Sequence, residues 1–146
     1  MREAPLRELL DRYAARIPHY MPFEAVSLPD VKTHNLTADQ QKAREGEMIL
    51  GRMGAGDFVV LFDERGREMT SAEFAVFIDR KATALPHSLI FVIGGPYGFS
   101  QAVYDRANLL LGLSRMTFTH EMARVLAAEQ IYRAMTILRG EPYHHA

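Results

Sequence analysis

The chain has 146 residues, of which 48% are hydrophobic and 24% charged, with no cysteine and a formal net charge of −1. That length fits one domain with a sizeable core, and that composition excludes wholesale disorder. The missing cysteines exclude disulfides, thiolate metal ligands and thiolate nucleophiles, and the near-neutral charge argues against a nucleic-acid binder held by phosphate contacts alone. In chain order, Pro5 suits a first helical position, and Leu6, Leu9, Leu10, Tyr13 and Ile17 recur at helical spacing until Pro18 stops the run. Residues 23–28 read as a short strand. A polar stretch then leads to Thr37-Ala38-Asp39-Gln40, a capping box that opens a mostly polar helix ending near Arg52. Gly51, Gly54 and Gly56 break the pattern before Phe58-Val59-Val60-Leu61-Phe62, an apolar strand without alternation closed by Asp63-Glu64-Arg65-Gly66. Thr70-Ser71-Ala72-Glu73 is a second capping box, with Phe74, Phe77 and Ile78 on one face of the helix behind it.

Residues 88–100, S-L-I-F-V-I-G-G-P-Y-G-F-S, are the most informative stretch. Five consecutive apolar residues, as in a strand covered on both faces, run into a glycine pair whose backbone can turn sharply and lie against a ligand. In open α/β sheets ligands bind just past the carboxyl ends of strands; a plain tight turn is the competing reading. Residues 101–111 read as a helix with Gly112 as its stop, residues 113–118 as a short extended or looped segment, and residues 120–139 as a long helix with Gly140 just past its end. Strand and helix thus alternate, which predicts an α/β fold with a mostly parallel sheet flanked by helices, in a single domain over residues 1–146.

The last helix is apolar on two sides, with Met122, Val125 and Leu126 on one and Ile131, Met135 and Leu138 on the other. The second side predicts contact with another copy of the chain, a homodimer. No charged-then-apolar leader and no apolar run near the ~18 residues of a membrane span occur, so a cytoplasmic protein without a membrane partner is expected.

Residues 101–146 hold five arginines and no lysine. Arginine offers a planar fork suited to phosphate or carboxylate, although solvated surface arginines are commoner. His120 and Arg124 share a face at the start of the long helix, where free amides favour anions; pairing of Glu121 with Arg124 and of Glu129 with Arg133 is the simpler alternative. Asp63 ends an apolar strand, where an acid can hold a ribose hydroxyl or merely shape a turn. There is no Walker A, G-x-G-x-x-G, G-x-S-x-G or H-E-x-x-H sequence. His19, His34 and His87 stand alone, and His144-His145 lacks a carboxylate partner, so no metal site is expected.

Four ordered motifs, I-G-G-P-Y-G-F-S (93–100), L-S-R-M-T-F-T-H-E-M-A-R-V (113–125), E-Q-I-Y-R-A (129–134) and R-G-E-P-Y-H-H (139–145), resemble the RlmH family of SPOUT methyltransferases. The shorter motifs H-Y-M-P-F-E, E-G-E-M-I-L and D-E-R-G extend the resemblance over nearly the whole chain. The resemblance implies methylation of N3 of a pseudouridine in large-subunit ribosomal RNA, within the ribosome, with S-adenosyl-L-methionine as cofactor. It further implies a C-terminal trefoil knot, an exception to the usual unknotted topology. On this likeness the cofactor-binding residues are Phe62, Gly94, Leu113, Ser114, Arg115, Met116, Thr117 and Phe118. His120 and Arg124 then belong near the cofactor loop, while Tyr143 and His144 complete the site on the partner subunit of a homodimer.

The chain departs from the family pattern in three places. The usual first apolar strand is absent, and restoring it is expected to raise thermal stability by pairing an exposed strand edge. Thr119 stands where the family carries proline, and His145-Ala146 replaces a basic residue at the end. A non-catalytic ribosome- or nucleotide-binding module of the same fold is the alternative.

Overall fold

The computed structural model describes residues 4–29, 31, 35–84 and 87–145; His34 and Ala146 lie outside them. Helix α1 spans Ala4–Arg16 and runs into a 3-10 turn at Ile17–His19. There follow α2 (Ala38–Leu50), β1 (Phe58–Glu68), α3 (Ser71–Ala84), β2 (Leu89–Ile93), α4 (Gln101–Arg106), β3 (Leu109–Gly112) and α5 (His120–Leu138). The three strands form a parallel sheet in the order β2-β1-β3.

The central strand shows why its apolar residues do not alternate with polar ones. Val60 and Phe62 face one core cluster, with Ile17, Phe74, Ile78, Ile131 and Met135 from α3, α5 and the 3-10 turn. Val59 and Leu61 face the other, with Ile49, Phe99 and Val103 from the α2 and α4 side. Helices cover both faces, and each fully buried Leu or Val is worth about 1.5–3 kcal/mol. Both capping boxes form: Thr37 with Gln40, and Thr70 with Glu73. At the end of α5, the N–H of Glu141 bonds the carbonyl of Thr136 and that of Gly140 the carbonyl of Ile137, a complete Schellman motif.

Four expectations are corrected. Residues 23–28 form no strand: Phe23 packs on the first core cluster and Leu28 on the second, so the segment crosses from one side of the sheet to the other. The helix expected over 101–111 stops at Arg106. Asn108 then pairs with β1, its side chain accepting from Val59 N–H and its own N–H donating to Val59 carbonyl, both at 2.8 Å. Leu109–Gly112 continues as strand, because the open edge of β1 outweighs the helical preference of leucine, and Gly112 ends a strand rather than a helix.

Third, Asp63-Glu64-Arg65-Gly66 is a bulge inside β1 rather than its end. The pairing jumps from Phe62 opposite Leu111 to Arg67 opposite the same Leu111. Gly66 passes so close to β3 that an added Cβ would stand 2.5 Å from the Leu111 nitrogen. Fourth, the two-sided apolar pattern of α5 is largely explained within one chain. Helices α1 and α3 both pack on it, and Tyr132 meets Tyr13 and Tyr20 at ring separations of 6.0 and 6.1 Å. That pattern therefore supplies no separate argument for a second copy.

Candidate cofactor groove

The carboxyl ends of β1 and β2 open into a groove of about 1170 Å3. Phe62 and Ile93, the last pair between β1 and β2, form its floor. Past Ile93 the chain makes a tight turn in which Gly98 N–H bonds the Gly95 carbonyl at 3.1 Å, with Pro96 and Tyr97 at the tip. The loop after β3 forms the facing wall. Met116 N–H bonds the Ser114 hydroxyl at 3.0 Å, and the Thr117 hydroxyl donates to Glu64 at 2.6 Å, tying this loop to the β1 bulge. Thr119 then caps α5 by accepting from Met122 N–H, which places His120 and Arg124 on the groove wall. Proline at position 119 could not supply that cap.

Of the cofactor residues expected from the sequence, Phe62, Gly94, Leu113, Ser114, Met116, Thr117 and Phe118 line the groove. Arg115 turns away, its Nε 3.9 Å from Glu68. Tyr143 and His144 do not line it either. Arg133 holds them against α5: it bonds Glu129 at 2.5 Å, meets His144 Nδ1 at 3.1 Å and lies 4.8 Å above the Tyr143 ring. The Glu129 carboxylate raises the Arg133 pKa, and burial first, then hydrogen bonding with Tyr13, pushes the Tyr143 phenol well above its ordinary value. Tyr143 also bonds Glu129, nine positions along α5 from His120, about 14 Å of helix.

The β1 bulge delivers Asp63, Glu64 and Arg65 to the groove. Asp63 is occupied: it accepts from the Tyr104 hydroxyl, from Arg65 N–H at 2.9 Å and from Arg65 Nε at 3.4 Å. Burial pushes its carboxyl up, but the donors from Tyr104 and Arg65 outweigh burial and hold it below the usual range. Burial, then the bond to Asp63, raises the Tyr104 phenol. A ribose hydroxyl would have to displace this network, so Asp63 holds the wall. The expected pairing of Glu129 with Arg133 forms, whereas Arg124 has no hydrogen bond or ion pair among the described residues.

Gln41 and Glu45 of α2, with Tyr104 of α4, also line the groove. Sequence reasoning missed these three, and only the E-G-E motif marked Glu45. The groove suits an adenosyl cofactor. Met116, Tyr97 and Phe118 expose 75%, 53% and 41% of their surface at its mouth, giving apolar walls for a purine and a thioether carbon chain.

A parallel α/β sheet whose glycine turn and second loop face each other across one groove defines a nucleotide- or adenosyl-binding protein. A family model described as "Predicted SPOUT methyltransferase" matches residues 1–144, and the chain belongs to that family, whose cofactor is S-adenosylmethionine. Among its relatives, proteins called "Ribosomal RNA large subunit methyltransferase H" are 51% identical in Parabacteroides distasonis, 48% in Cytophaga hutchinsonii and 50% in Christiangramia forsetii. The matches cover 94%, 98% and 96% of this chain and 88%, 92% and 90% of those proteins. No helix among the described residues is long and apolar enough to cross a membrane.

Proposed function

We propose that this chain transfers the methyl group of S-adenosylmethionine to N3 of a pseudouridine in large-subunit ribosomal RNA. One observation carries the reading: Phe62, Gly94 and the 113–118 loop, far apart in sequence, line one open groove beside His120 and Arg124. The relatives' shared name supports the RNA substrate. The bound cofactor supplies an electrophilic methyl group on a sulfonium. Phe62, the glycine turn and residues 113, 114 and 116–118 would hold it. The groove is larger than the ~300–1,000 Å3 of an ordinary ligand pocket, which leaves room for an extruded base beside the cofactor. Arg124, with no hydrogen bond or ion pair among the described residues, is suited to an RNA phosphate or a base carbonyl. In-line placement of N3 and loss of its proton are what the site must arrange.

The working unit on this reading is a homodimer acting on the ribosome in the cytoplasm. Its support is the separation along α5: one chain assembles the loops with His120 and Arg124, while Tyr143 and His144 sit outside that groove. A second copy would bring its tail to the first copy's groove, where Tyr143 and His144 place the base. The reading includes a knot, with the segment after β3 drawn past the glycine turn; their shared groove is its support. The test is transfer of labelled methyl from S-adenosylmethionine to ribosomes lacking the modification, with mass spectrometry locating the product. Label at N3 of a pseudouridine is the expected result. Cofactor binding without transfer to ribosomes, subunits or RNA would instead make the chain a non-catalytic binding module.

A further inference from the structure

The E-G-E motif of α2 takes part in none of the chemistry assigned so far, yet its first glutamate reaches the groove. Gly46 explains how. A Cβ at Gly46 would stand 2.4 Å from the Ser100 hydroxyl, so its bare backbone lets α2 press against the N-cap of α4, just past the glycine turn. The neighbouring Glu45 is thereby held over that turn, with Oε1 2.9 Å and Oε2 3.2 Å from the place a Gly95 Cβ would occupy. The Gln41 amide donates to Oε2 at 3.1 Å, and Gln41 is itself only 7% exposed, so the carboxylate is fixed from behind by a buried donor.

The other carboxylates of the wall stand differently. Asp63 is taken by Tyr104 and Arg65, Glu121 has an interaction of its own, and Glu64, which accepts from Thr117 at one oxygen, is exposed to solvent rather than half-buried. Among the described residues Oε1 of Glu45 has no donor, and Glu45 forms no ion pair. A half-buried carboxylate with one oxygen open to a ligand groove favours a cation there, since the low-dielectric wall strengthens the attraction. S-adenosylmethionine carries two positive groups, a sulfonium and an α-ammonium, both on its methionine half. We propose that Glu45 is a cofactor-binding residue that pairs with the cationic methionine half of S-adenosylmethionine. The proposal rests on the groove being the cofactor site.

Calorimetric titration of the full chain with S-adenosylmethionine and with 5′-methylthioadenosine, which keeps the adenosine and loses both positive groups, separates the outcomes. Glu45→Gln is expected to weaken S-adenosylmethionine by about tenfold or more and methylthioadenosine by less than about twofold. Glu47→Gln, an exposed change two residues along the same helix, leaves both affinities as they were. Glu45→Asp keeps the charge but draws it back by one methylene; it shows the same selective loss and carries the test should the glutamine variant not fold. Equal loss of both ligands would overturn the proposal, because Glu45 would then merely prop the glycine turn. Unchanged affinity for both overturns it as well, even if methyl transfer falls. Failure of the unmodified protein to bind either ligand is a different result, which would count against the groove reading itself.

Discussion

Two arginines on α5, nine positions apart, sit in opposite circumstances. Arg133 is fully engaged, bonded to Glu129, meeting the His144 ring nitrogen and covering the Tyr143 ring, and it fastens the C-terminal tail to the body of the protein. Arg124 lines the groove and has no bond to the protein among the described residues. An engaged, partly buried cation is spent on structure, whereas an arginine left without a partner in a concave site is available to a ligand. The same contrast divides the acids of the groove wall, where Asp63 is saturated and Glu45 keeps an open oxygen.

The largest expected effect comes from the bulge that builds the groove wall. Gly66→Ala drives a Cβ into the Leu111 backbone and is expected to cost about 3 kcal/mol, lowering the melting midpoint by about 9 °C. A midpoint within about 1 °C of the unmodified protein would mean the bulge yields easily. Next, Arg124→Ala should reduce kcat/KM for methyl transfer about 100-fold, or about 2.7 kcal/mol, while leaving S-adenosylmethionine affinity and melting nearly unchanged. Equal loss of cofactor affinity and transfer would erase the distinction between the two arginines. Arg133→Ala is expected to behave in the opposite sense. It removes the charged partner of the Glu129 carboxylate, leaving it the Tyr143 and Gln130 donors, and should cost about 2 kcal/mol of stability, with cofactor affinity kept within about twofold.

The smallest effect is in the pH dependence. Asp57, held by Gly54 and Ser88 N–H groups, and Glu73, held by the Thr70 N–H and hydroxyl, have lowered pKa values, as does Asp63. A carboxyl depressed on folding contributes stability that is complete above its ordinary value, 3.8 for Asp and 4.5 for Glu, and is lost as pH falls through the folded value. The melting midpoint should therefore be flat from about pH 7 to 5 with respect to these groups and decline below about pH 4. Asp63→Asn should make that decline shallower. A decline of the same steepness in the variant would show that the groove-side network contributes no acid sensitivity.

Much of this was legible in the sequence where local signals and burial agree. The capping boxes at Thr37 and Thr70, the all-apolar strands at 58–62 and 89–93 and the glycine turn needed no tertiary information. Misreadings fell where a distant partner decides. Leucines 109–111 are good helix formers, but pairing with β1 makes them strand. Asp63-Glu64-Arg65-Gly66 has the composition of a turn, and only the return of Arg67 to Leu111 makes it a bulge. The loop residues of the groove were legible through the family motifs alone. Glu45, Gln41 and Tyr104 were not, because helices α2 and α4 reach the groove by packing that no spacing in the sequence records.

The cofactor's place is tested most directly by nuclear magnetic resonance of protein labelled at its methionine methyl groups, titrated with unlabelled S-adenosylmethionine. Met116 and Met122 line the groove, whereas Met135 is 2% exposed in the core. Large, saturable shifts of the Met116 and Met122 signals with Met135 left in place are the predicted result. Saturable binding that leaves Met116 unmoved would contradict the account, because the cofactor would then lie somewhere other than between the glycine turn and the loop after β3.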